Sequence, residues 1–171
     1  MKQIVFVWML LAQLNMGFSQ ESIFAIARTG NVEQVKELMK TQPNCINQKN
    51  GDGYTPLILA CYRSNNEVAV FFIENGAVID ENSPMGTALM AAIVKGNNEI
   101  VSLLLKKNVD VNVTDNQGIT PLMYAVQFKN SEVVKWLLQH NADKTKVDLK
   151  GKTAFEYAVF SGNEEIINLL K

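Results

Sequence analysis

A short cassette returns every 32 or 33 residues along the chain and dictates its architecture. It reads Gly53-Tyr54-Thr55-Pro56-Leu57, Gly86-Thr87-Ala88-Leu89, Gly118-Ile119-Thr120-Pro121-Leu122 and Gly151-Lys152-Thr153-Ala154-Phe155. A second marker keeps the same beat, with Glu67, Glu99, Glu132 and Glu165 each heading an apolar run. Self-similarity at this period belongs to stacked units that contact only their neighbours, not to one globular core. Function in such a stack resides in the surface it presents.

Within each unit the residue types specify a turn and two short helices. Asn50-Gly51-Asp52-Gly53 and Asp115-Asn116-Gln117-Gly118 are turn chemistry, because glycine frees the backbone and Asn and Asp tolerate left-handed conformations. Threonine then caps a helix, and proline fits its first turn. The first helices are expected to end near Ser64, Gly96, Lys129 and Gly162. The second begin around the four marker glutamates, whose charge suits the positive end of the helix dipole. Leu57 and Ala60, then Val68, Phe71 and Phe72, recur at helical spacing. Such short helices are marginal alone and need their neighbours.

The N-terminus has a different composition. Lys2 precedes an apolar run from Ile4 to Leu14 broken only by Gln13, and Gly17 and Ser19 stand at −3 and −1 of a cut before Gln20. This is the layout of a cleavable signal peptide over residues 1–19. The run is shorter than the roughly 20 apolar residues of a spanning helix, so no stable membrane insertion is expected after cleavage. The end of this segment resembles exported-protein signals of Gram-negative bacteria, which implies the periplasm, or secretion, as destination.

A hydrophobic content of 47% with 19% charged residues argues for a folded domain. The net charge of −1 lacks the basic stripe that nucleic acid demands. An oxidising destination raises the question of a bridge between Cys45 and Cys61. Their spacing does not settle it. The expectation is two free thiols, Cys45 in an exposed loop and Cys61 a small core residue on a first helix.

The cassettes resemble those of ankyrin repeats. Gly-x-Thr-Pro-Leu occurs in the second and fourth units and Thr-Ala in the third and fifth. The family's alanine stands at Ala60, Ala92, Ala125 and Ala158, and its loop at Gly76-Ala77-Val78-Ile79-Asp80 and Asn108-Val109-Asp110-Val111-Asn112. The resemblance covers residues 22–171. It implies an all-α solenoid of about five helix–turn–helix units with short β-turn or hairpin loops. The domain spans residues 20–171, divided as a cap at 22–50, units 51–82, 83–115 and 116–148, and a cap at 149–171. The family's histidine is replaced by Ile58, Met90, Met123 and Glu156. Glu33, Gln34, Lys36 and Glu37 suit a water-facing first cap, and Glu164, Asn168 and Lys171 a solvated last one.

No residues form a recognisable catalytic, cofactor-binding or metal-binding set. His140 is alone in a loop, and one histidine with two distant cysteines gives no zinc spacing. Asn112-Val113-Thr114 matches a glycosylation acceptor, but Asn112 is also the family's loop asparagine. Trp136, Phe71 and Phe72 are expected in the core. The resemblance implies a concave groove lined by turn tips and first helices. Tyr54 and Ile119 match tip positions; Tyr62, Val94, Gln127 and Phe160 match one repeated helix position, with Phe128 beside them. An aromatic and aliphatic row of this kind suits anchoring of a protein partner. The expectation is therefore a monomeric, non-enzymatic protein-binding module. The alternative is an immunity, inhibitor or protective protein for one toxin or enzyme of the cell envelope.

Overall fold

The structure, a computed structural model, describes residues 22–171, so the expected leader at residues 1–19 lies outside the described residues. Among the described residues ten α-helices run in pairs through five units. They are α1 (Ile23–Thr29) with α2 (Val32–Thr41), α3 (Pro56–Arg63) with α4 (Asn66–Glu74), α5 (Ala88–Val94) with α6 (Asn98–Lys106), α7 (Pro121–Gln127) with α8 (Ser131–Gln139), and α9 (Ala154–Ser161) with α10 (Glu164–Leu170). A 3-10 turn at Pro43–Asn47 follows α2. The described residues contain no β-strand, only an isolated bridge between Ser83 and Gly86.

Each helix boundary follows from its cap. Thr55, Thr87, Thr120 and Thr153 accept hydrogen bonds from the backbone N–H groups of Ile58, Met90, Met123 and Glu156. The chain turns into the second helix through left-handed residues at Ser64, Gly96, Lys129 and Gly162. At three of the following helix starts an asparagine caps: Asn97, Asn130 and Asn163. Asn65 instead spans the first seam, donating to the carbonyls of Gly30 at 2.9 Å and Ala27 at 3.3 Å.

The units interlock by polar ladders as well as by burial. Asn97 donates to Asn66 at 2.5 Å, and Asn130 to Asn98 at 2.8 Å. Asn112 donates to the Asn141 carbonyl at 3.1 Å and accepts from the Asp143 N–H at 2.8 Å. The amide of that glycosylation-like sequence is thus occupied in joining two units.

Where successive first helices meet, Ala27, Ala60, Ala92, Ala125 and Ala158 are fully buried. The corresponding second helices hold Phe72, Leu104 and Leu137. Small residues on one side and large ones on the other draw the first helices closer together than the second, which curves the stack around its first-helix row.

Three expectations need correction. Cys45 is not exposed: the 3-10 turn folds it inward, and both it and Cys61 are buried free thiols. Burial pushes both thiols up, Cys61 to about 12. Phe72 is fully buried as expected, but Phe71 and Trp136 are only half-buried because their positions lie on the flank of the second helix. The last unit is also less polar than a cap should be. Phe155 and Val159 occupy positions that earlier units bury as Leu122 and Val126, yet are 37% and 52% exposed.

Candidate functional site

The concave face is built from two repeated features, the finger-like turn before each capping threonine and the outward side of each first helix. In the fourth unit Asp115 organises the finger, accepting from the N–H groups of Gln117 at 2.8 Å and Ile119 at 2.9 Å. The Tyr124 hydroxyl on α7 donates to its other oxygen at 2.7 Å, tying finger to helix. The fifth unit repeats this with Asp148, the N–H groups of Lys150 and Lys152, and the Tyr157 hydroxyl. Burial, then the hydrogen bond to Asp115, raises the Tyr124 hydroxyl well above the usual phenol range. The bond to Asp148 raises Tyr157 to about 12. These fingers are rigidly held.

The candidate residues fall into separate groups along the curve. Tyr62, Val94, Gln127 and Phe160 each stand seven residues after a capping threonine, so they do form one row. Tyr62 and Val94 are half-buried and Gln127 exposed; Phe160, at the end of the row, is 89% exposed. Lys95 lies over the Tyr62 ring at 5.0 Å and Lys152 over the Phe160 ring at 5.8 Å. Ile119 is half-buried against the core beneath its finger, and Phe128 is 52% exposed just beyond α7. Tyr54 and Tyr62 share a cavity. It measures about 270 Å³ and is completed by Arg28, Asp52, Leu59, Arg63 and Met85.

That cavity exists because the second unit departs from the fourth and fifth. Asn50 stands where they have aspartate, organising its finger through the N–H groups of Asp52 at 3.1 Å and Tyr54 at 2.9 Å. Leu59 stands where they have Tyr124 and Tyr157, so no phenol fills the groove. Arg28 was missed by a search along the repeat register. Its position holds buried Cys61, Ile93 and Val126 in later units, and an arginine there is legible only as an exception.

The same repeat geometry decides the family. The family model described as "Ankyrin repeats (3 copies)" matches residues 22–115 and 108–171. The chain belongs to the ankyrin-repeat family. It is 38% identical over 100 residues to mouse "Ankyrin repeat and SAM domain-containing protein 6", covering 57% of this chain and 11% of that protein. It is 32% identical over 95 residues to Caenorhabditis elegans "BRCA1-associated RING domain protein 1", covering 54% of this chain and 13% of that protein. A Schizosaccharomyces pombe protein, "BTB/POZ domain-containing protein 3", is 29% identical over 90 residues, 53% of this chain and 17% of its own length. The chain thus spans under a fifth of the length of these relatives. Ankyrin repeats generally mediate protein–protein interaction. Among the described residues no group of three or more His, Cys, Asp and Glu could hold a metal ion, and no helix is long and apolar enough to cross a membrane.

The electrostatics of this ankyrin stack predict an uneven response to acid. Asp143, Asp148, Glu156 and Glu165 are all held below their ordinary values, chiefly by hydrogen bonds from Thr145, Tyr157, Thr153 and Lys135 respectively. A depressed carboxyl contributes stability that is present above its unfolded value, 3.8 for Asp and 4.5 for Glu, and is lost as pH falls through the folded value. All four lie in the last two units. Lowering the pH from 6 to 3 should therefore strip amide-exchange protection from α9 and α10 first, with α3 to α6 protected longer.

Proposed function

We propose that the protein is a non-enzymatic, monomeric binding module, exported to the periplasm or the cell exterior, that takes a protein partner on its concave ankyrin face. The observation that carries this reading is the row of equivalent first-helix positions, half-buried Tyr62 and Val94 and exposed Gln127, ending in Phe160 at 89% exposure, with Phe128 exposed at 52% just beyond α7. Isolated apolar side chains on a surface need no explanation, but a row along one face does. The stack orders these side chains before any partner arrives, so binding costs little conformational entropy.

Capture from a cell-envelope extract, read by mass spectrometry, tests the binding face. A partner held by the native protein and lost with Tyr62→Glu/Phe160→Glu supports the concave reading; equal retention overturns it. Export rests on Lys2, the apolar run Ile4 to Leu14, and Gly17 and Ser19. Intact mass of the protein from its native host should show a chain beginning at Gln20. A chain retaining Met1 or Lys2 contradicts export by cleavage.

A further inference from the structure

The full chain contains only two arginines against 14 lysines, and both arginines line the same cavity. Arg28 comes from α1 and Arg63 from the end of α3, thirty-five residues apart, and two of the chain's four tyrosines, Tyr54 and Tyr62, form the wall between the units. Neither arginine makes an ion pair within 4.0 Å among the described residues; Arg28 donates only to the Phe24 carbonyl at 3.3 Å. Asp52 lines the cavity from the finger, beyond ion-pair reach of both guanidinium groups. Lys95 adds a third positive charge at the rim, over the Tyr62 ring.

Guanidinium groups offer forked donors that match a carboxylate, and their planar faces also stack on aromatic rings. Leu59, Met85 and the tyrosine rings supply an apolar floor and walls beside those donors. Asp52 adds an acceptor that a bare anion leaves unused but a peptide N–H satisfies. We infer that this cavity binds an acidic side chain, Asp or Glu, flanked by an apolar residue, on an extended segment of the protein partner. The inference rests on the concave-face reading above and sharpens it to one cavity and one chemistry. Phe160 and Phe128, farther along the curve, then serve as apolar anchors without a charge requirement.

A random dodecapeptide library displayed on phage and panned against the full mature chain tests this. Binders are counter-selected on the Arg28→Ala/Arg63→Ala variant, whose folding is checked by circular dichroism. Both positions are half-buried or exposed, so the fold should survive. The expected result is enrichment of peptides with Asp or Glu beside an apolar residue. A synthetic winner should bind at least about tenfold more weakly with its acid changed to amide, and on the double-arginine variant. A charge swap, Arg63→Glu against a peptide carrying lysine in place of its acid, should recover part of the loss.

Enriched peptides without an acid, or an amide version that binds equally well, overturn the inference. So does a phosphoserine version that binds more than about tenfold tighter than the acidic one, since the cavity would then be a phosphate reader. The two readings fail separately. Acid-free peptides that still lose binding with Tyr62→Glu/Phe160→Glu leave the concave face standing, whereas peptides indifferent to every concave change remove both.

Discussion

Phe72→Ala should lower unfolding free energy by about 3–5 kcal/mol, the range for removing a large buried aromatic side chain. Phe72 heads the largest fully buried side chains. It projects from α4, which contacts α2, α3 and α6, and its ring meets that of Phe71 edge-on at 6.5 Å between centroids. The short neighbouring helices cannot collapse into the void without losing their own contacts. Domains of ordinary stability have about 5–15 kcal/mol in total, so the loss is a large fraction of it. In a stack whose units contact only neighbours, the lesion also weakens the coupling between the first two units and the rest. Urea titration followed by circular dichroism should show a lower midpoint and a broadened or split transition. Phe72→Leu, which keeps most of the volume, should cost under half as much. A single, unshifted transition for Phe72→Ala would contradict a stabilising role for this buried ring.

The second large effect is expected at Gly86→Ala, at about 2–4 kcal/mol from backbone strain and overpacking together. Gly86 has φ +94°, a left-handed conformation that side chains resist, and an added Cβ would lie 2.0 Å from the Met90 sulfur. Met90 is 1% exposed, so its thioether cannot swing into solvent. The clash with a buried methionine is particular to this unit among the finger glycines. Its finger closes over one residue fewer, with Ser83 and Gly86 paired where Asn50 pairs with Tyr54 and Asp115 with Ile119. Two signatures separate this mechanism from general glycine loss. Gly76→Ala, at φ +89° with open space around it, should cost only the conformational part. Adding Met90→Ala to Gly86→Ala should be less damaging than the sum of the two single changes, a coupling readable by a double-mutant cycle in thermal or urea unfolding.

These two sites also mark what local residue chemistry could and could not convey. Thr55, Thr87, Thr120 and Thr153 begin helices because a threonine before Pro or Ala caps whatever its surroundings, so the helix pairs were legible directly. The turn positions Ser64, Gly96, Lys129 and Gly162 were legible for the same reason: the period fixes them. The shorter third finger and the packing of Met90 against Gly86 were not read from the cassette spacing, because the second is a contact that spacing does not contain. Cys45 was misread because the first unit ends in a 3-10 turn that its later counterparts lack.

For the candidate site, register places Tyr62, Val94, Gln127 and Phe160 in one row, since equivalent positions in a solenoid share a face. Register could not reveal that Tyr54 and Tyr62 share a cavity while Ile119 packs down beneath its finger. That distinction depends on Leu59 standing where the fourth and fifth units carry Tyr124 and Tyr157. Arg28 escaped for a related reason, sitting where later units place core residues. The informative positions of this stack are those that break its repeat.

In the function proposed above, a pre-ordered concave face does the binding. Calorimetric titration of the captured partner against three proteins tests this most directly: the native chain, Tyr62→Glu/Phe160→Glu on the concave row, and Gln139→Glu/Asn168→Glu on exposed positions of the second helices. The two variants add the same charge, so net electrostatics cannot explain a difference between them. The concave pair should weaken binding at least about a hundredfold, the scale of losing two interface anchors, while the second-helix pair stays within about threefold of the native chain. Equal affinities for all three, or a loss confined to the second-helix pair, would contradict it.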